Sequence, residues 1–359
     1  MYLDWIKLRN FKNFKESDWE FSPKINAFVG SNGVGKTNVL DAVHYLALTK
    51  SYLNYSDALN IHFDADFFSL EGNFHKESSE DIIFCAVQES KGKILKKNAK
   101  AYDRLSEHIG SFPLVMISPY DHDLIKDGSD TRRRFIDNII SQSDKDYLKN
   151  LMRYNRVLIQ RNSLLKYFAQ NNNFDSVSLE IYNAELISLG TRIYQNRKEF
   201  ITDFLPVFQE YYNFISRGNE KVNIVYDSQL NENSFQNLLN THLQKDRSAQ
   251  YSTQGIHKDD LRFEIRNYPI KKFGSQGQQK SYLIALKLAQ LELMKQNLGI
   301  TPLLLLDDIF DKLDETRVEQ LIKLVNEERF GQIFITDTHP ERTENIVKRI
   351  NSESKIFRL

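Results

Sequence analysis

The stretch "KINAFVGSNGVGKTNVLDAVHYLAL", residues 24–48, decides the fold of this 359-residue chain. It begins with a short apolar run that ends at Gly30, and a segment with helical periodicity follows from Lys36. Residues 30–37, GSNGVGKT, match the pattern G-x-x-x-x-G-K-[ST]. The stretch therefore predicts a strand, a glycine-rich loop and a helix in direct succession, which is the structural context that this pattern requires.

The glycine-rich loop has the composition of a phosphate-binding loop. Its glycines let the backbone curl until successive N–H groups face one anion, and the helix that follows presents its positive end to the same anion. Lys36 is expected to reach the β- and γ-phosphates of ATP, and the Thr37 hydroxyl to bind Mg²⁺. The residues expected to hold the nucleotide are Gly30, Ser31, Asn32, Gly33, Val34, Gly35, Lys36 and Thr37.

A second segment supplies carboxylates. "LLLLDD", residues 303–308, is an apolar strand that ends in two acids. Asp307 fits a Mg²⁺ ligand, acting directly or through water. Asp308 fits the group that orients or deprotonates the attacking water, which makes it, with Lys36, a candidate catalytic residue. The alternative is an exposed acidic turn after a buried strand.

A third segment, "FGSQGQQKS", residues 273–281, begins a long apolar helix with residues that add nothing to a core. A serine hydroxyl and glycine N–H groups at a helix start form a neutral anion site that allows close approach, although a polar helix cap has the same composition. The segment resembles the L-S-G-G-Q signature of ABC-type ATPases, which closes the nucleotide site of a second subunit. Ser275, Gly277 and Gln278 occupy the matching positions.

Two later residues extend the resemblance to the ABC class. In "FDKLD", Asp314 matches the loop aspartate that crosses the dimer interface in that class. The next strand, in "IFITDTH", should end at a switch histidine, but strict register places Asp337 there and His339 two residues later. His339 as a substitute switch residue and His339 as an exposed loop residue both stay open.

Composition limits which partners, which cell compartment and which kinds of site the chain can have. The 48 basic and 48 acidic residues cancel, so net charge identifies no partner. Cys85 is the sole cysteine, which excludes an internal disulfide and a cysteine zinc site and suits a reducing cytosol. No apolar run approaches the ~20 residues needed to span a bilayer, and the N-terminal residues lack the pattern of a signal peptide. We expect a cytoplasmic protein with no membrane partner.

The order of strand-like and helical segments predicts an α/β fold, an ABC-type ATPase head with an inserted helical second lobe. The head is expected at residues 1–135 and 220–359, and the lobe at residues 136–219. The polar turn "NNNFDS", residues 171–176, separates two helical segments and favours an antiparallel pair. Apolar residues of the second segment alternate spacings of three and four, as in a helix packed lengthwise on another: Leu179, Tyr182, Leu186, Leu189 and Ile193.

Together with these motifs, further stretches make most of the chain resemble the RecF family, bacterial DNA replication and repair ATPases related to SMC-type heads. They are "LRNFKNF" (8–14), "ISPYDHDLIKDGSDTRRRFID" (117–137), "YNRVLIQRNSLLK" (154–166) and "GIHKDDLRF" (255–263). Two positions depart from the family pattern. Tyr120 stands where an acid is usual, with Asp121 kept as the matching carboxylate, and Ile256 replaces the proline before His257.

The resemblance implies an ATP-induced homodimer that binds DNA at gaps and at single-strand/double-strand junctions. It implies partners corresponding to RecR and RecO, recombinase loading after DNA damage in the SOS response, and weak DNA-dependent ATP hydrolysis that acts as a switch. The alternative is the nucleotide-binding subunit of an ABC transporter. That class is expected to have a glutamate at position 308, a histidine in register and a surface that couples to a membrane protein.

Two basic stretches are candidates for DNA contact, since lysines and arginines on one face can follow phosphates without reading sequence. The first is helical: Lys149, Arg153, Arg156, Arg161 and Lys166. The second is hairpin-like: Lys91, Lys93, Lys96, Lys97 and Lys100. A solvated charged face stays as the alternative for both. A third cluster, Arg132 to Arg134, is expected to anchor the insertion to the head.

Overall fold

The computed structural model describes residues 1–54, 56–76, 79–218, 220–309, 315–326, 329–350 and 353–359. The chain divides into two compact units. The first contains Met1–Asp121, Tyr211–Gly218 and Lys280–Leu359, and the second contains His122–Glu210 and Asn219–Gln279. Residues 220–279 thus fall in the same unit as the helical segment. The domain boundaries expected from the sequence stay a prediction.

Runs of strands and runs of helices follow one another along the chain. The strands are β1 (Tyr2–Phe11), β2 (Phe14–Glu20), β3 (Ile25–Val29), β4 (Phe67–Lys76), β5 (Ser79–Gln88), β6 (Gly92–Lys97), β7 (Lys100–Ala101), β8 (Leu114–Ile117), β9 (Val222–Asp227), β10 (Asp260–Ile265), β11 (Tyr268–Pro269), β12 (Leu303–Leu306), β13 (Ile333–Asp337) and β14 (Ser354–Arg358). The helices are α1 (Lys36–Leu48), α2 (Asp123–Lys126), α3 (Ser129–Ser143), α4 (Lys145–Gln170), α5 (Ser176–Ser216), α6 (Phe235–Thr241), α7 (Leu243–Ala249), α8 (Ile270–Phe273), α9 (Gln276–Leu298), α10 (Glu315–Asn326) and α11 (Pro340–Arg349).

A parallel sheet with the strand order β14-β3-β13-β12-β8 forms the centre of the first unit. Strands β3, β8, β12 and β13 are buried at every residue. Their sequences are continuous apolar runs because a parallel sheet is usually covered on both faces. Since all five strands are parallel, β3, β12 and β13 end at the same edge of the sheet. This edge carries the loop at Gly30 and the carboxylate of Asp307.

Helix α1 shares one hydrophobic core with both sheets of the first unit. The second sheet is antiparallel and has the order β2-β1-β4-β5-β6-β7. Representative members of the core are Leu8, Phe28, Val43, Leu70 and Leu305. Nearly every residue of α1 beyond its first turn is buried, which explains why the helix is apolar on most sides rather than amphipathic. The predicted strand, loop and helix are confirmed.

The second unit contains the predicted pair of antiparallel helices, which is confirmed. Arg161 Nε on α4 donates to Asn183 Oδ1 on α5 at 2.8 Å, and Arg197 Nε on α5 donates to the Tyr147 hydroxyl on α4 at 3.1 Å, so the contacts run in opposite directions along the two helices. Of the five apolar residues of α5 predicted to pack lengthwise on another helix, four are buried. Tyr182 is half-buried, whereas Asn183 beside it is buried and its amide oxygen accepts a hydrogen bond from Arg161.

A small antiparallel sheet of the order β11-β10-β9 completes the second unit, with α3 packed against β10. Arg132 makes a two-pronged ion pair with Asp260, with N···O distances of 2.7 Å and 3.0 Å, and Arg133 donates to the Asp259 carbonyl at 2.6 Å. These two arginines therefore fasten α3 to the start of β10 inside the second unit. Among the described helices, none has the length and apolar character needed to cross a membrane.

Candidate nucleotide-binding site

The glycine-rich loop joins β3 to α1, and two of its positions require glycine. Gly35 has φ +112°, and a Cβ there would lie 2.6 Å from Asn13 Nδ2 and 2.7 Å from the Phe14 ring. Gly33 has φ +83° with open space around it, so its backbone conformation alone excludes most side chains. The sequence pattern of the loop thus reflects the backbone path that it must follow.

The loop and the start of α1 offer positive charge to an anion. No acidic residue lies in the first turn of α1, so its N–H groups and dipole are available to an anion. Lys36 is only 4% exposed, and its Nζ donates to the carbonyls of Gly30 and Ser31, at 2.9 Å each. Ser31 and Asn32 are exposed on the loop. The arrangement can bind phosphate through backbone N–H groups and one ammonium.

Asn13, on the turn between β1 and β2, braces the loop. Its Nδ2 donates to the Val34 carbonyl at 3.0 Å, and its Oδ1 accepts from Asn38 Nδ2 at 2.7 Å. This role was not predicted from the sequence. The residue lies in "LRNFKNF", a stretch with a family resemblance, but nothing local indicates that this turn meets a loop 21 residues later.

The carboxylate of Asp307 lies directly beside the loop. Thr37 Oγ1 donates to Asp307 Oδ1 at 2.8 Å, Thr336 Oγ1 donates to the same oxygen at 2.9 Å, and Ser118 Oγ donates to Oδ2 at 3.3 Å. Asp307 is 2% exposed, and burial raises the pKa of its carboxyl above the ordinary value. The three hydroxyls and Lys36 act in the opposite sense, favouring the charged form.

Asp308 has an unusual backbone. Its φ is +44°, in the left-handed region that residues with a Cβ rarely adopt. Its N–H donates to Thr336 Oγ1 at 2.9 Å, which holds this conformation in place. Strained residues of this kind concentrate at functional sites because the surrounding structure must enforce them. The catalytic role assigned to Asp308 stays a prediction.

Asp337 is the last residue of β13, and its carboxylate accepts hydrogen bonds from groups at the start of α11. It is 1% exposed and accepts from His339 N at 3.1 Å, from Arg342 Nε at 3.1 Å and from Thr343 Oγ1 at 2.7 Å. Its carboxylate is therefore occupied by groups at the start of the following helix, whereas the His339 side chain is exposed. Which of the two acts as a switch residue stays open, and Asp314 lies outside the described residues.

The signature-like segment belongs to the second unit. Gln278 N donates to Ser275 Oγ at 3.2 Å, and Ser275 N donates to Gln278 Oε1 at 2.6 Å, which is a reciprocal capping box at the start of α9. Gln278 Nε2 also donates to Glu220. Ser275 is exposed and Gly277 is half-buried. The polar composition thus starts the helix, and a contact with the nucleotide of a second subunit stays a prediction.

The structure changes the set of basic residues available to DNA. Arg161 is 0% exposed, with Nη1 donating to Asp246 Oδ2 at 2.8 Å, so the expectation that it lies on a DNA-binding face is wrong. On the hairpin of β6 and β7, Lys93 pairs with Asp57 at 2.8 Å and Lys97 pairs with Asp81 at 2.7 Å. Exposed candidates include Arg153, Arg156, Lys166, Lys91 and Lys100.

Comparisons with known proteins identify relatives over the whole chain. The profile of a family described as an AAA domain matches residues 6–213. The DNA replication and repair protein RecF of Flavobacterium johnsoniae is 52% identical over 359 residues, which are 100% of this chain and 100% of that protein. A solved structure described as the recombination mediator protein RecF-ATP in the RecFOR pathway has a TM-score of 0.88 at 31% identity, covering 94% of this chain and 92% of that chain. An Smc head bound to the C-winged helix domain of ScpA has a TM-score of 0.57 at 16% identity, covering 96% and 92%, and shows likeness of fold alone.

The fold and the order of the motifs define the class: an ABC-type ATPase head with an inserted helical lobe, shared with SMC heads. The chain belongs to the RecF family of DNA replication and repair proteins. The predicted fold class and the predicted family are therefore confirmed.

Proposed function

We propose that this chain is an ATP-dependent DNA-binding protein of recombinational repair and replication-fork maintenance. The observation that carries the proposal is the 2.8 Å hydrogen bond between Thr37 Oγ1 and Asp307 Oδ1. It joins the phosphate loop to the carboxylate strand across 270 residues of sequence, and an ATP site of the ABC type needs both. The RecF structure described as an ATP complex supports ATP as the nucleotide.

Each residue of the site has a proposed role. The loop N–H groups and Lys36 bind the phosphates, while Thr37 and Asp307 hold Mg²⁺, which prefers the hydroxyl and carboxylate oxygens that they offer. When bound, the ion neutralises charge on the phosphate oxygens. Asp308 orients the attacking water or accepts its proton. Its side chain is one methylene shorter than that of glutamate, so we expect slow hydrolysis that suits a switch.

Two chains complete each site in this proposal. Ser275, Gly277 and Gln278 of one chain approach the γ-phosphate held by the other, so that ATP joins two copies. The exposure of Ser275 at the amino end of the 23-residue helix α9 supports this role, since a helix start attracts an anion. Hydrolysis then separates the copies.

The proposed DNA substrate contains a gap or a junction between single and double strands. Arg153, Arg156 and Lys166 on α4 are exposed and suit contacts with the phosphate backbone. A relative is described as a recombination mediator of the RecFOR pathway, which supports proteins corresponding to RecR and RecO as partners and recombinase loading as the outcome.

The test is nucleotide-dependent binding to gapped DNA. We expect the wild-type chain to bind a gapped duplex more tightly with ATP than with ADP, and Lys36→Met to lose this difference together with hydrolysis. Lys50→Met removes an exposed lysine just beyond α1 and is the matched control, which should behave as wild type. DNA binding that ignores the nucleotide, or association with lipid vesicles instead of DNA, would contradict the proposal and favour a transporter subunit.

A further inference from the structure

Thr336 touches both carboxylate residues that follow β12. The residue lies on β13 and is 0% exposed. Its Oγ1 donates to Asp307 Oδ1 at 2.9 Å and accepts from the Asp308 N–H at 2.9 Å. A threonine hydroxyl has one proton to donate and lone pairs that accept. A single hydroxyl therefore holds the side chain of one acid and the backbone of the next.

Strand register places Thr336 at this point. Strands β12 and β13 are parallel with Leu306 opposite Ile335, so the next residues, Asp307 and Thr336, are neighbours at the edge of the sheet. The left-handed backbone of Asp308, with φ +44°, directs its N–H to β13. The contact thus depends on the pairing of two strands and on a local distortion at the second acid.

The chemistry of the position argues against a role in packing alone. The residues before Thr336 on β13, Ile333, Phe334 and Ile335, are apolar and buried, and valine has nearly the same shape as threonine with high strand propensity. A buried hydroxyl lowers stability unless it is hydrogen-bonded. Both hydrogen bonds of this hydroxyl go to Asp307 and Asp308, so its presence serves those two residues.

Thr336 also differs from the other hydroxyl on Asp307 Oδ1. Thr37 is itself a proposed Mg²⁺ ligand, so its hydrogen bond to Asp307 is not a fixed support when the ion binds. Thr336 lies on β13, outside the phosphate loop and α1, and can keep its hydrogen bonds to both acids when the ion binds. Partners of this kind set the orientation of metal ligands.

We propose that Thr336 is a positioning residue, which orients the Asp307 carboxylate toward the metal and fixes the Asp308 backbone from which the water-orienting side chain projects. The inference rests on the proposed roles of Asp307 and Asp308. It assigns no contact between Thr336 and the nucleotide. The Thr336 hydroxyl is therefore expected to affect the metal-dependent steps and not the affinity for ATP in the absence of metal.

The experiment compares Thr336→Val, which removes the hydroxyl at constant shape, with Thr336→Ser, which keeps it. A fluorescent ATP analogue is titrated in EDTA and then at increasing Mg²⁺. For Thr336→Val we expect unchanged affinity in EDTA, and a loss of about 10- to 100-fold in the Mg²⁺-dependent gain in affinity or in kcat, the range measured when outer partners of metal ligands are removed. Thr336→Ser should restore both quantities to near the wild-type values.

Several results would overturn the inference. One is a Thr336→Val protein with the wild-type Mg²⁺-dependent gain and kcat; another is an equal loss of affinity with and without Mg²⁺, which indicates a structural role. If Thr336→Val does not fold, Thr336→Ala replaces it with the same expectation, and the Ser variant still decides whether the hydroxyl matters. Asp307→Asn is measured in parallel, because an unchanged Mg²⁺ response there would refute the proposed metal site itself and the role of Thr336 with it.

Discussion

Asp308 sits at a backbone conformation that limits which substitutions give a clear answer. Asparagine tolerates the left-handed region better than most residues, so Asp308→Asn keeps the φ of +44° with little strain while removing the carboxylate. We expect ATP binding to stay and hydrolysis to fall, so that ATP-joined dimers persist. Sedimentation after ATP addition measures their lifetime. Variant dimers that separate as fast as wild-type dimers would exclude Asp308 as the water-orienting group.

His108 predicts a pH-dependent stability of the first unit. The ring is 0% exposed, with Nε2 2.7 Å from the Leu46 carbonyl and Nδ1 3.1 Å from the Tyr102 hydroxyl. Burial lowers the pKa of His108 from 6.5 to about 4, with Lys76 and Lys97 acting in the same direction. The unfolded chain binds this proton more readily than the folded chain does. The neutral His108 ring therefore makes its full contribution to the free energy of unfolding above pH 6.5, and this contribution is lost as the pH drops toward 4.

This shift in the pKa of His108 corresponds to a loss of ~3 kcal/mol in the free energy of unfolding between pH 6.5 and pH 4. His108→Gln should therefore flatten the pH dependence of the urea midpoint for the first unit between about pH 7 and pH 4.5. Tyr102→Phe removes only the hydroxyl and is the control that keeps the histidine. An unchanged pH dependence in His108→Gln would assign the effect to other groups.

At the residue scale, the predictable residues are those whose chemistry fixes their type and spacing. Lys36 and Thr37 follow from a local pattern, and Asp307 follows from an acid at the end of an apolar strand. The roles of three further residues could not be found in this way: Asn13, Ser118 and Thr336. Each acts on a segment distant in sequence, so its role appears only when strand order and register are known.

At the scale of elements, α4 combines a buried ion pair with an exposed basic face. Arg161 and Asp246 are both 0% exposed, and removing the arginine leaves a buried carboxylate without its charge partner. We expect Arg161→Met to destabilise the second unit by about 3–5 kcal/mol. Arg153→Met, on the same helix with its side chain 67% exposed, should change stability by less than about 1 kcal/mol. Equal unfolding midpoints for the two variants would contradict this view of α4.

The exposed face of α4 gives a separate prediction for DNA. Charge reversal by Arg153→Glu with Arg156→Glu should weaken binding to all DNA forms alike, because phosphate contacts carry no sequence information. The slope of log affinity against log salt should fall by about one for each arginine that no longer neutralises a phosphate. The matched control reverses Lys91, exposed in the turn between β5 and β6, and Lys100, exposed on β7. If the α4 variant binds DNA with normal affinity and the variant with Lys91 and Lys100 reversed binds weakly, the DNA site lies at Lys91 and Lys100 and not on α4.

Elements with strong local signals were predictable, and their pairing was not. The helix α1 and the antiparallel pair α4 and α5 follow from periodicity and from a polar turn. The order β14-β3-β13-β12-β8 depends on pairing between strands hundreds of residues apart, which a local pattern does not specify. The pair Arg161 and Asn183 shows the limit within the helices, since spacing of apolar residues does not predict a buried polar contact between α4 and α5.

At the scale of the whole molecule, three separate segments build the first unit. The phosphate loop and Asp307 therefore come together across 270 residues, much of which forms the second unit. Such an interruption is tolerable because the entropy of loop closure rises only with the logarithm of loop length. In this arrangement the motif order along the chain, rather than the distance between motifs, indicates the class.

The central claim at this scale is that two chains share each ATP site, and one measurement tests it most directly: the ATPase activity of Ser275→Arg mixed with Lys36→Met. If Ser275 only capped α9, its replacement would lower stability by about 1 kcal/mol and leave ATP behaviour intact. If it completes the partner's site, each variant alone is inactive. In a mixed dimer one site carries both substitutions and the other carries neither, so we predict that partial activity returns on mixing. A mixture that stays inactive, or a Ser275→Arg protein that forms ATP-dependent dimers normally by itself, would contradict the claim.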